Sequence, residues 1–158
     1  MLKLLDSFTN GFAACIARSH SLLEITSEVD LYRPPRQLPR TFTIFTVGEY
    51  LLRSAATIEQ TFGGITARLW DDPFEWTLPE KLNSTALIGE YLDEVSATVA
   101  RGIAFLDTDD VLLREIPAPT SIKPIATVLI ETLARAEHYQ GRAFAVFQAL
   151  SNEKLPRV

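Results

Sequence analysis

Apolar residues recur at steps of three and four over most of the chain, the spacing that places side chains on one face of an α-helix. The pattern predicts four helices, over about residues 2–24, 46–69, 84–106 and 121–150. Residues 40–47 alternate in part but adjoin a helix start, so no strand is predicted. The sequence therefore predicts an all-α protein, a four-helix bundle that forms a single domain over residues 1–158.

Capping residues support the predicted helix starts. Thr46 precedes the second helix and Glu49 follows three residues later, the arrangement of a capping box. Asn83 or Ser84 is predicted to cap the third helix. Pro124 is placed in the first turn of the fourth helix, where a missing backbone N–H is tolerated.

The connector between the first two helices is long and holds three prolines in the nine residues 32–40. Proline removes hydrogen-bond donors and disfavours helix before it, so an extended segment is predicted, with a functional or contact role. Apolar and aromatic side chains gather in this connector and the next. They predict an interface between two copies of the chain, and thus a homodimer. The residues are Tyr32, Phe42, Ile44, Phe45, Trp70, Phe74 and Trp76.

Composition and charge narrow the function classes. The chain is 47% hydrophobic and 22% charged, as in ordinary globular proteins. A formal net charge of −5 argues against binding to a nucleic-acid backbone, which needs clustered Lys and Arg. No apolar run approaches the roughly 18 residues of a membrane span, and the first residues lack the features of a signal peptide. The single cysteine, Cys15, is predicted to be buried, and the chain is expected to be cytoplasmic.

Three stretches carry a resemblance to a known family. They are "TVGEYLLR" at residues 46–53, "TDDVLLREI" at 108–116, and "ARAEHYQGRAF" followed by "LSNEKLP" within 134–156. Together they resemble the DinB/YfiT-like superfamily over most of residues 41–156. The resemblance implies a four-helix bundle that typically binds a divalent metal through three histidines. Relatives include thiol-dependent transferases and isomerases.

None of the three histidines that the resemblance implies is present here. A pattern like "TVGEHLLH" ends at Arg53 in this chain, and the pair in a pattern like "HxxxHRGQ" becomes Arg135 and Tyr139. Arginine stays protonated and offers only donors, so it cannot serve as a ligand. His138 is predicted to point away from the apolar face of its helix. The metal site is therefore expected to be lost, and no cofactor is expected.

Two interpretations of the replaced positions remain. If the backbone still brings Arg53, Arg135 and Tyr139 together, with His138 beside them, the former metal cavity becomes cationic and suits a carboxylate or phosphate. Alternatively, acids four residues before each arginine neutralise them on the helix surface. The spacing favours this second arrangement, whose pairs are Glu49 with Arg53 and Glu131 with Arg135.

The leading hypothesis for function is a binding or interaction protein that has lost metal-dependent catalysis and takes a small anionic ligand. The alternative is an enzyme of the thiol-dependent transferase type. In that case Tyr139 is the candidate catalytic acid, and the arginines hold an anionic substrate.

Overall fold

The structure is a computed structural model that describes residues 3–157. This part of the chain is mostly helical and belongs to the all-α class. Its helices are α1 (Lys3–Ile25), α2 (Glu28–Leu31), α3 (Val47–Ala67), α4 (Thr85–Leu106) and α5 (Ile125–Leu150). The predicted first helix began at residue 2, which lies outside the described residues. The four-residue helix α2 was not predicted.

The four long helices pack around one apolar core. Helix α3 packs against α4 and α5, and α1 packs against the same two helices. Helices α1 and α3 meet across the centre, where the rings of Phe12 and Phe62 lie edge to face with centroids 5.2 Å apart. Both phenylalanines are fully buried. The predicted apolar faces therefore point to a common interior.

Helix starts are fixed by side chains, partly from distant segments. The capping box is confirmed: the Thr46 hydroxyl accepts from the Glu49 N–H, and the Glu49 carboxylate accepts from the Thr46 N–H at 3.0 Å. Ser84 caps α4, as predicted. The start of α1 is capped by Asp109, whose carboxylate accepts from the backbone N–H groups of residues 4 and 5 at 3.1 and 3.0 Å. These contacts satisfy donors that a helix leaves unpaired at its N-terminus.

The predicted start of the last helix was wrong, as was the prediction that the chain contains no strand. Residues Ile122–Pro124 form strand β2, which pairs antiparallel with β1, residues Glu115–Pro117. Pro124 has ψ 144° and precedes α5 instead of lying within its first turn. A residue before proline is driven out of the helical region, so Lys123 favours the strand. Strands of three residues are too short for alternation to be detected.

No helix in the described part of the chain combines the length and apolarity that crossing a membrane requires.

Close packing of α3 on α4 depends on a glycine. A Cβ at Gly102 would lie 2.1 Å from the ring of the buried Phe62. Gly141 is also helical, but a Cβ there would have nothing within 4 Å. These two glycines separate packing from helix propensity, because alanine favours a helix over glycine by about 0.8–1 kcal/mol at either site.

We predict that Gly102→Ala lowers the free energy of unfolding by about 1–2 kcal/mol, since overpacking a core outweighs the gain in helix propensity. Gly141→Ala, the matched control, should raise it by about 0.5–1 kcal/mol. Urea denaturation followed by circular dichroism measures both. Equal stabilisation by the two substitutions would contradict the close contact with Phe62.

Candidate functional site

A cavity of about 240 Å³ opens between α3, α5 and the connector that follows α3. Three of the four predicted site residues line it: Arg53, Arg135 and Tyr139. The rest of the lining comes from α3 and from residues 72–79, and consists of Glu49, Leu52, Ala56, Thr57, Gln60, Asp72, Pro73, Phe74, Thr77, Leu78 and Pro79. The structure thus brings together side chains that lie about 80 residues apart in the sequence.

The three side chains converge because of the close contact between α3 and α5. The Ser54 hydroxyl donates to the backbone carbonyl of Ala136 at 2.8 Å, and both residues are buried. A second contact joins the same two helices. The hydroxyl of Thr61, two turns after Ser54 on α3, lies 2.7 Å from that of Thr132, one turn before Ala136 on α5. Arg53 directly precedes Ser54 in the sequence. Small side chains let the two helices approach closely, so residues beside this contact share one cavity.

Arg53 does not pair with Glu49, so the prediction that this acid neutralises it on the helix surface is wrong. The Oε2 atom of Glu49 accepts from both the backbone N–H and the hydroxyl of Thr46, at 3.0 and 2.8 Å. The guanidinium carbon of Arg53 instead lies 3.9 Å from the centre of the Phe45 ring. A guanidinium stacked in this way has one face covered while its N–H edge stays open to a ligand.

Arg135 does not pair with Glu131 either. Glu131 accepts from Lys123 Nζ at 2.7 Å, and Lys123 belongs to the strand that the sequence did not predict. Arg135 is exposed, and within residues 3–157 neither it nor Arg53 forms an ion pair. Both arginines therefore reach the cavity without an acidic partner from the described chain.

Tyr139 forms a wall shared by two cavities. It is half-buried, with its ring centroid 6.5 Å from that of Tyr50, and its hydroxyl has no hydrogen-bond partner among the described residues. A second cavity, of about 340 Å³, also has Tyr139 in its lining. The lining of this cavity is Phe42, Thr43, Phe45, Tyr50, His138, Tyr139 and Arg142.

His138 lines the second cavity and is absent from the first. Its side chain is exposed, in agreement with the prediction that it points away from the apolar face. The Nε2 atom of His138 accepts from Nε of Arg142 at 2.8 Å. Sequence reasoning placed His138 beside the other three residues but did not identify Arg142 or the aromatic residues between them.

The connector that closes the first cavity is anchored to α3. The Gln60 side-chain amide donates to the Trp70 carbonyl at 3.1 Å, and Trp76 Nε1 donates to Glu59 Oε2 at 3.4 Å. The Tyr91 hydroxyl donates to the same oxygen of Glu59, and burial together with this hydrogen bond raises the pKa of Tyr91 well above its usual range. These anchors hold residues 72–79 in place as a wall. The sequence did not predict that wall.

A glycine in α3 allows this connector to lie close against the helix. A Cβ at Gly64 would lie 2.3 Å from the ring of Trp70.

A buried glutamine fixes the rotation of α5 from the side facing α1. The side-chain amide nitrogen of Gln140 donates to the Ser19 hydroxyl at 2.6 Å, and its oxygen accepts from Arg18 Nε at 3.0 Å. Arg18 also pairs with Glu137. Because Gln140 faces α1, the preceding Tyr139 is turned toward α3 and the two cavities.

Four of the seven connector residues that predicted a homodimer pack against the core: Tyr32, Ile44, Phe45 and Trp70. The other three are exposed, Phe42 by 64%, Phe74 by 58% and Trp76 by 43%. The exposed apolar surface is therefore smaller than the sequence suggested, and the homodimer stays a prediction.

The donor groups at hand are those for an anion. Among residues 3–157, no three His, Cys, Asp or Glu side chains cluster closely enough to hold a metal ion.

Compared with models of known protein families and with curated proteins, the chain matches none.

The prediction that Cys15 is buried is confirmed, and its environment explains its chemistry. Burial, with a smaller contribution from Glu137, raises the pKa of the thiol from 9.0 to about 11. The thiolate is the nucleophilic form, so the folded protein should resist alkylation at mildly alkaline pH. A folded state that binds the thiol proton more tightly loses stability as the pH rises from about 9 to about 11.

We predict that iodoacetamide modifies Cys15 slowly in the native protein and rapidly in concentrated guanidinium chloride. We also predict that the loss of unfolding free energy between pH 9 and pH 11 is smaller in Cys15→Ala than in the wild type. Mass spectrometry and denaturation curves give the two readouts. Rapid alkylation of the native protein would contradict the burial.

Proposed function

We propose that the first cavity binds a small anionic molecule, a carboxylate or a phosphate, through Arg53, Arg135 and Tyr139. The observation that carries the proposal is their convergence on one cavity, with neither arginine paired to an acid in the described chain. Two guanidinium groups and a hydroxyl offer the charge-assisted hydrogen bonds that such anions require.

The acidic residues in the lining do not cancel this preference. Glu49 is engaged at Oε2 by the start of its own helix, and Asp72 accepts from the Phe74 N–H at 3.1 Å. Both carboxylates thus serve as caps. Two acids and two arginines line the cavity, so the preference for an anion rests on the unengaged donors of Arg53 and Arg135 and not on an excess of positive charge.

The size and walls of the cavity indicate the kind of ligand. A volume of about 240 Å³ is below the ~300 Å³ at which pockets for drug-sized ligands begin. Phe74, Leu78 and Pro79 supply an apolar wall. A small carboxylate with an apolar body fits both features, its head at the guanidinium groups and its body on this wall.

We further propose that the four long helices form a single-domain four-helix bundle related to the DinB/YfiT-like superfamily, with the anion site in place of the metal site. The support is positional. The three residues that replace the family's histidines line one cavity, two of them four residues apart on α5 and the third on α3.

We predict that Arg53→Gln and Arg135→Gln each weaken binding of phenylacetate and inorganic phosphate by roughly tenfold or more, since hydrogen bonds to charged groups contribute about 1.5–3 kcal/mol. Titration followed by NMR measures the dissociation constants. Arg101→Gln, an exposed residue on α4 outside both cavities, is the control with the same change of charge. Equal weakening in the control would show that only the overall charge matters.

We also predict that the variant carrying Arg53→His, Arg135→His and Tyr139→His gains affinity for zinc or nickel, and that added metal raises its melting temperature. The substitutions remove two positive charges and place neutral imidazoles at positions that share a cavity. The wild type should show neither effect. A folded triple variant that ignores metal would contradict the proposed relationship to the family, while leaving anion binding open to its own test.

A further inference from the structure

We propose that the second cavity is another anion-binding subsite, centred on Arg142, and that both cavities together bind one elongated ligand with an anionic group at each end. This inference rests on the proposed function of the first cavity. It adds the class of the ligand, a dianion whose two charged groups are separated by an apolar chain.

The spacing of residues along α5 places the two subsites in line. Arg135, Tyr139 and Arg142 follow one another at steps of four and three, so they share one face of the helix. At about 1.5 Å per residue, the two arginines lie roughly 10 Å apart along the helix axis. Tyr139 lines both cavities, so a ligand that follows this face passes its ring.

Arg142 is oriented for an anion in the same way as Arg53. Its guanidinium carbon lies 4.4 Å from the centre of the Phe42 ring, and its Nε is held by His138. It forms no ion pair within residues 3–157, and no acidic residue lines the second cavity. The terminal nitrogens of Arg142 therefore remain free to donate to a carboxylate.

The surface between the two subsites is aromatic. Phe45 lines the second cavity, and the guanidinium that covers its ring belongs to Arg53 of the first. Tyr50 and Tyr139 complete this stretch, with ring centroids 6.5 Å apart. Apolar rings between two cationic ends suit a hydrocarbon chain and disfavour a charge at its middle. A linear dicarboxylate matches this surface, because it has a charged group at each end and a hydrocarbon chain between them.

The test compares decanedioate with its monomethyl ester, which has the same chain but one charge fewer. We expect the dicarboxylate to bind the wild type at least tenfold more tightly than the half-ester, measured by isothermal titration calorimetry. Succinate carries both charges on a short chain and cannot reach both arginines, so it should bind no more tightly than its own monomethyl ester. These measurements need no variant.

Substitutions then assign each end of the ligand. Arg142→Gln should reduce the ratio of the half-ester and decanedioate dissociation constants from ten or more to about one, whereas the Arg101→Gln control should keep it. Arg53→Gln should weaken binding of both compounds.

The two proposals fail in different ways. A half-ester that binds no more weakly than decanedioate would overturn the second subsite and leave the first intact. The absence of binding by both compounds would overturn the elongated site, and the proposed function fails as well only where phenylacetate and phosphate do not bind either.

Discussion

The hydrogen bond from the Ser54 hydroxyl to the carbonyl of Ala136 is the contact on which the candidate site depends. It joins α3 to α5 where both helices carry small, buried side chains, and it donates to a carbonyl that is already part of a helix. Arg53 lies next to one partner in the sequence and Arg135 next to the other. Fixing this pair of residues therefore fixes the positions from which the two arginine side chains leave their helices.

One turn further along α5, Gln140 fixes the same helix to α1, which fully engages its side-chain amide. A buried amide without partners is costly, so rotation of α5 about its axis would lose several hydrogen bonds at once. Held from two sides, α5 has one rotational setting. In that setting Tyr139 lines both cavities, His138 is exposed, and Arg135 and Arg142 lie along one face of the helix.

The sequence predicted those features of the structure that depend on local periodicity and capping. The four long helices follow from apolar spacing, and the starts of α3 and α4 follow from Thr46 and Ser84. The convergence of Arg53, Arg135 and Tyr139 was predicted only through a family resemblance, because no local pattern links α3 to α5.

The two predicted ion pairs at i,i+4 spacing failed because another group bound the acid. Glu49 and Glu131 each stand four residues before an arginine, which is the right spacing for a pair. Glu49 instead caps its own helix, and Glu131 binds Lys123 of a strand too short to predict. An i,i+4 pair on a helix surface contributes only a few tenths of a kcal/mol, so a cap or a better-placed lysine readily displaces it. Spacing shows which pairs can form but does not rank them: the capping box of Glu49 was itself predicted, whereas the lysine that binds Glu131 was not.

That competition leaves Arg53 without an acidic partner, and the aromatic connector supplies a contact for it, as it does for Arg142. Stacking of Arg53 on Phe45 and of Arg142 on Phe42 covers an apolar ring and a weakly hydrated guanidinium face together, while the polar edges stay in contact with solvent. Because stacking already restricts both side chains, a ligand restricts them little further, and this lowers the entropic cost of binding. Phe42 and Phe45 both lie in the long connector after α2, where Phe45 packs against the core and Phe42 is exposed. Its length is what allows it to cross the outer face of α3 and α5 and set both arginines in position.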